Sequence, residues 1–374
     1  MKVFIEKIQN YDLDKIYDFL RKTTTEIKLW EKLENKTKIL IKPNLLGAFK
    51  PEKAVTTHPI ILEALIRLFK KNNKEIWLGD SPGGSISVKK VFLETGMKTL
   101  AEKYEIKLVN FSEGGVLLKK SGNTEFPITK YLWEADAIIN VGKYKTHSLM
   151  YYTGCVKNLY GVIPGLKKSD YHKYHPDFKD FAGIITSLFS IVKGRISFNI
   201  LDGILGMEGE GPSAGIPRNF GILFASESAS AVDYQASKMM GYSLKQLPYI
   251  NEFLEVENLS QDDINVDKEW DSFVFENVKI RQVGFLINLI NKTPGFIKNF
   301  LTKYYKYYPD FNENCTLCKV CVQSCPVKAM KIVEDVPHPV IDYDNCIKCM
   351  CCHELCPQQA VYVKKSFLAK LLIK

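Results

Sequence analysis

The chain has 374 residues, 46% hydrophobic and 25% charged, ordinary values for a globular protein that exclude wholesale disorder, collagen-like repeats and low-complexity architecture. At roughly 100–200 residues per domain, this length predicts two or three folded units. Lys and Arg total 51 against 42 Asp and Glu, a net charge of +9, which permits anionic ligands but does not argue for nucleic acid; no DNA-binding motif is present.

The first segment, Met1 to Asp14, carries Lys2, Glu6, Lys7 and Asp12, so it lacks the unbroken apolar core of a secretion signal. Nowhere do eighteen apolar residues run together, so no spanning helix is expected and the expected location is the cytoplasm. From Lys38 onward, strand and helix patterns alternate. Strands are predicted at 38–41, 75–78, 106–111, 137–141, 196–201 and 220–224, and helices at 58–72 (Pro59 in the first turn), 88–104, 177–193 and 229–240. Such alternation predicts an α/β domain over residues 1–283, a mainly parallel open sheet with flanking helices.

In open sheets of this kind, ligands bind beyond the carboxyl ends of the strands. The polar motifs fall there: Lys42-Pro43-Asn44 after the first strand, Gly79-Asp80-Ser81-Pro82-Gly83-Gly84 after the second, Gly142 to His147 after the strand ending at Val141, and Asp202-Gly203 leading to Glu208. These loops are expected to converge on one cleft. Lys42, Asn44, Lys143, Lys157, Asn158 and Lys167 would bind an anionic small molecule there, with Asp80, Asp202 and Glu208 opposite. Lys145, His147 and His172 are the candidate catalytic groups, because crowded ammonium groups lower one another's pKa towards the range useful for general acid work. The three acids could instead hold a divalent cation. Gly79 to Gly84 lacks both dinucleotide and P-loop order, and no flavin signature is visible. His58 reads as a helix cap and Cys155 as a small buried hydrophobe.

Residues 284–308 mix Phe285, Leu286, Leu289, Ile290, Phe296 and Phe300 with lysines and are split by Pro294-Gly295, which reads as a basic amphipathic connector. Its apolar faces are expected to dock the next module, with peripheral membrane contact as the alternative. The tail, 364–374, has a similar mixture.

Nine of the ten cysteines lie between Cys315 and Cys356. They read Cys315-x-x-Cys318-x-x-Cys321-x-x-x-Cys325-Pro326 and, offset by 31 residues, Cys346-x-x-Cys349-x-x-Cys352-x-x-x-Cys356-Pro357. This resembles the bacterial ferredoxin pattern, in which the fourth cysteine of each run crosses to the other cluster. Cys315, Cys318, Cys321 and Cys356 are then expected to hold one 4Fe-4S cluster, and Cys346, Cys349, Cys352 and Cys325 the other. A small α+β two-cluster ferredoxin-like domain is predicted over 309–363, with strands at 329–333 and 360–363. Paired C-x-x-C motifs also build zinc sites, but two complete copies ending in Cys-Pro favour clusters. Cys351, whose counterpart is Val320, reads as a non-ligand thiol beside a cluster or as exchanging roles with Cys352. His338 and His353 read as wall residues.

The N-terminal motifs, with Thr153-Gly154-Cys155-Val156-Lys157-Asn158, Gly161-Val162-Ile163-Pro164-Gly165 and Glu208-Gly209-Glu210-Gly211-Pro212, together resemble the domain of unknown function 362 family, over about residues 38–241. The resemblance implies the arrangement, an α/β domain followed by a ferredoxin module, rather than a reaction. Two functions are expected on the residues: an iron-sulfur reductase relaying single electrons between a protein redox partner and an anionic small molecule, or a ferredoxin-type carrier whose α/β domain only selects a partner or ligand.

Overall fold

A computed structural model describes residues 1–175, 178–280 and 307–366. Nearly all of the connector and most of the tail lie outside these residues. Residues 1–175 and 178–280 form ten strands: β1 (Phe4–Lys7), β2 (Lys38–Lys42), β3 (Glu75–Asp80), β4 (Lys107–Asn110), β5 (Val116–Ser121), β6 (Thr124–Thr129), β7 (Ala137–His147), β8 (Tyr151–Thr153), β9 (Ile196–Glu208) and β10 (Ile216–Ser226). Hydrogen-bonded neighbours run β1, β10, β9, β7, β2, β3, β4, with β8 beside β7, while β5 and β6 form a separate hairpin. The pairs β4/β3, β3/β2, β2/β7 and β7/β9 are parallel; β10 runs antiparallel to β9 and β1, so the sheet is mixed with a parallel centre.

Alternating side chains put Ile39, Ile41, Ile76, Leu78, Ile139 and Val141 on one face. That face packs on the amphipathic helices Leu13–Glu26 and Pro59–Lys71. Leu40, Trp77, Ile138 and Leu201 point the other way, onto Phe178–Val192 and Ala229–Met239. His58 caps its helix, Nδ1 accepting from Ile60 N at 3.3 Å. The chain leaves β2 towards β3 and β4, then returns through β7 on the other side of β2. That reversal is the switch point of the sheet, where a crevice opens at the carboxyl ends of β2, β3 and β7.

Four elements depart from the sequence reading. The predicted helix 88–104 is two helices, Val88–Glu94 and Met97–Tyr104, broken at Gly96, whose φ of 77° is left-handed. The predicted strand 220–224 is twice as long and antiparallel. Gly142–His147 is not a loop: β7 runs through it, held by β8 (Lys145 opposite Thr153) and by the outer part of β9. Asp202-Gly203 likewise sits inside β9, opposite Leu223 and Ile222 of β10. Polar side chains masked both extensions, because what satisfies them comes from distant segments.

The cysteine-rich region forms β11 (Tyr307–Phe311), β12 (Met330–Lys331), β13 (Val340–Ile341) and β14 (Val361–Lys365), with short helices Val320–Gln323 and Cys351–Leu355. β11 pairs with β14 and β12 with β13, so the predicted strand 329–333 shortens to two residues. The 31-residue repeat is visible in the backbone. Leu317 and Lys348, Lys319 and Met350, and Lys328 and Gln359 are matched left-handed residues, with φ between 52° and 65°. No described helix is long and apolar enough to cross a membrane.

Candidate functional site

The lysines divide by what they meet. Lys42 Nζ lies 2.7 Å from Asp80 Oδ1 and donates to Asn158 O at 2.8 Å, both charges being buried. Lys143 Nζ lies 2.7 Å from Asp202 Oδ2 and 3.0 Å from Tyr11 OH. Asp202 also accepts from His58 N, and the His58 ring stacks on Tyr11. These are closed ion pairs tying β2 to β3 and β7 to β9. Gly161 is glycine because a Cβ there would stand 2.4 Å from Asp80 Oδ1 and 2.6 Å from Lys42 Nζ.

Lys145, Lys157 and Lys168 have no carboxylate at ion-pair distance; the buried Glu354 acts on Lys145 and Lys157, and Asp80 on Lys168, from further away. All three line a cavity of about 90 Å³ at the crevice, together with Asn44, Asp80, Tyr160, His172, Cys351, Glu354 and Leu355. Lys145 Nζ donates to Asn44 Oδ1 (3.0 Å) and Val55 O (2.7 Å), and Lys168 Nζ to Ser81 O and Pro82 O, so each ammonium keeps one N–H uncommitted. Lys157 makes no hydrogen bond or ion pair with a described residue. Burial first, and then the neighbouring lysines, push Lys145 well below the usual lysine range; burial pushes Lys168 down to about 7.

His147 lies behind this wall. Its Nδ1 accepts from Leu149 N (3.0 Å) and Met150 N (3.2 Å), which leaves the proton on Nε2. Nε2 stands 3.2 Å from Glu354 Oε1, within ion-pair distance but without hydrogen-bond alignment. Burial and the nearby lysines hold His147 well below its ordinary pKa, so it is neutral and the contact is polar rather than ionic. His172 stacks on Phe181 at 4.1 Å, and burial lowers it to about 3; its Nδ1 has no hydrogen-bond partner among the described residues.

Of the sequence candidates, the crevice brings together Asn44, Asp80, Lys145, Lys157 and His172, with His147 one layer back. Asn158 instead holds the floor, its Nδ2 donating to Asn140 Oδ1 at 2.8 Å. Lys167 is exposed, and the buried lysine is Lys168, one residue further along the helix Lys167–Tyr174. Glu208 turns to Arg218 Nη1 at 2.9 Å. With Asp80, Asp202 and Glu208 each on a different cation, the three acids do not assemble a divalent-cation site. Cys155 is buried, its thiol pushed up by burial, and its backbone N–H donates to Asp233.

Lys168 and Tyr160 escape the sequence reading, as does the place of Cys351 and Glu354 in this cavity. The last two come from the cysteine-rich region, whose short helices dock at the crevice. Ser85 N and Oγ donate to Ser324 Oγ and Gln323 Oε1, and Ser213 Oγ donates to His353 O. Gly83 and Gly84 make this approach possible: a Cβ would stand 2.5 Å from Leu355 and 2.6 Å from Ser324 Oγ. The glycine-rich stretch therefore seats a protein helix.

The cysteines ring two hollows. One is lined by Cys315, Cys318, Cys321 and Cys356, the other by Cys325, Cys346, Cys349 and Cys352 with Cys351. Each crossing cysteine accepts a backbone N–H, Cys325 from Ala329 at 3.3 Å and Cys356 from Ala360 at 3.2 Å, the type of donor that tunes a cluster's potential. Among the described residues no three His, Cys, Asp or Glu close on a single ion. Two four-thiol hollows fit the 4Fe-4S cubanes that the spacing implies. His338 stacks on Phe311 in the wall.

Comparison with known proteins finds two matched stretches. Residues 39–238 match the family described as domain of unknown function (DUF362), and residues 314–360 match the 4Fe-4S dicluster domain. A thylakoid-associated protein of Synechocystis sp. is 30% identical over 212 residues, a stretch covering 56% of this chain and 65% of that protein.

Proposed function

Since the chain belongs to the DUF362 family and ends in a 4Fe-4S dicluster domain, we propose that it is an iron-sulfur oxidoreductase acting on a small oxyanion held in the lysine cavity. One observation carries this reading: Cys351, Glu354 and Leu355, from the helix that also carries Cys352, wall the same cavity as Lys145, Lys157 and Lys168. When bound by the two cysteine sets, the clusters would supply or accept single electrons, exchanged on the outside with a redox partner protein.

The chain's own residues do the rest. Three amino groups, each with an N–H to spare once protonated, bind acidic oxygens and regain the charge that burial suppresses. At roughly 10–15 Å³ per water-sized site, the cavity admits a ligand of under ten heavy atoms. Tyr160, Leu45 and Leu355 exclude water from it.

The test is anaerobic purification, metal analysis and mass spectrometry of the co-eluting small molecule. About eight irons per chain and a small carboxylate or phosphate species are expected. Zinc in place of iron, or clusters whose reoxidation no small oxyanion alters, would remove the reading.

A further inference from the structure

Cys351 is the one described residue that lines both the lysine cavity and the hollow ringed by Cys325, Cys346, Cys349 and Cys352. No described residue of the cavity wall lines the first hollow, whose Cys318 is instead exposed to solvent.

The internal repeat sharpens this asymmetry. The two halves share their backbone down to matched left-handed residues, yet one helix face differs completely. Val320 stands at the position of Cys351, Gln323 at that of Glu354 and Ser324 at that of Leu355. Gln323 and Ser324 spend their polar atoms on Ser85, a plain docking contact, whereas Cys351, Glu354 and Leu355 face the cavity. The cavity also holds an unsatisfied group: His172, only 5% exposed, has no partner for Nδ1 among the described residues. A buried polar atom in that state awaits a ligand or ordered water.

We propose that the two cysteine sets have different jobs, the second facing the cavity's ligand through the Cys351 thiol, which is a wall residue rather than an iron ligand, and the first facing the outside redox partner. This rests on the oxyanion reading above. Cys351 is a positioning residue: a small polarisable thiol brings the second set within one side chain of the ligand, where a branched hydrocarbon such as Val320 makes a closed wall.

The test uses the full, anaerobically loaded chain with inorganic phosphate as probe, phosphate binding being followed by calorimetry. In the partly reduced protein, hyperfine coupling to the phosphorus nucleus is expected on one cluster signal only. Cys318→Ser is expected to alter the signal that lacks the coupling. Cys351→Val is expected to keep about eight irons and to change or abolish the phosphorus coupling, with Cys351→Ser as a second variant should the first misfold. Loss of about half the iron in both Cys351 variants would make Cys351 a ligand and overturn the proposal. So would coupling on the first set, or bound phosphate without coupling. If phosphate fails to bind at all, and Lys157→Ala changes nothing, the oxyanion reading falls and takes this assignment with it.

Discussion

Lys42 and Lys143 are buried against carboxylates, while Lys145 and Lys168, also buried, and the half-buried Lys157 face a cavity. The same side chain therefore does two jobs within one crevice. A buried ammonium at 2.7 Å from a carboxylate is part of the scaffold, since removing either partner strands the other. One without a carboxylate at ion-pair distance keeps a hydrogen free when protonated, and that is the condition for binding an anion.

The largest effect is expected from breaking the scaffold pairs. Lys42→Met leaves the buried Asp80 without its cation, and Lys143→Met does so to Asp202; each is expected to cost about 3–5 kcal/mol, read as a fall in the midpoint of chemical denaturation. Next comes the seat of the cysteine-rich module. Gly84→Val meets both Ser324 and Leu355 at a left-handed φ of 67°, and is expected to abolish anion binding in calorimetry while iron content is kept. Lys157→Ala should leave the denaturation midpoint nearly unchanged but weaken phosphate binding about tenfold to a hundredfold, the worth of a charged hydrogen bond.

A smaller, proton-linked effect separates the two lysine classes further. Folding lowers Lys168 to about 7, whereas an unfolded lysine keeps its proton to about 10.4. Between those values the unfolded chain binds more protons, so stability without ligand should rise with pH across that window. A bound oxyanion reverses the shift. Binding at pH 8 should therefore take up a proton, seen as a dependence of the calorimetric heat on buffer ionisation, and affinity should fall as pH rises above about 7. Lys168→Met should remove most of that proton uptake. The smallest effect belongs to exposed Lys167: Lys167→Ala should change neither binding nor stability, and a marked loss of affinity would show that the helix sits one residue out of register.

The neighbouring residues Lys167 and Lys168 show where sequence reading ends. The helix they begin has almost no amphipathic signal, so nothing local says which lysine turns inward; the carbonyls of Ser81 and Pro82 decide it. Gly142–His147 taught the same lesson for strands. Its lysines look like loop residues until Asp202, Asn44 and Val55 are brought to them. By contrast, the strands predicted at 38–41 and 137–141 lie within β2 and β7, because a strand buried on both faces carries its hydrophobicity in nearly consecutive residues.

Sequence alone determined the strand–helix alternation, the family resemblance and the twofold cysteine pattern, because these are written in residue type and short-range spacing. The tertiary structure decided which lysines are spent on carboxylates and which remain open. It also decided that two glycines seat a helix, and that Cys351 and Glu354, some two hundred residues from the nearest lysine of the cavity, complete its wall. The physical reason is that a charge's role depends on what else is buried with it, and partners contributed by distant segments leave no trace in local sequence.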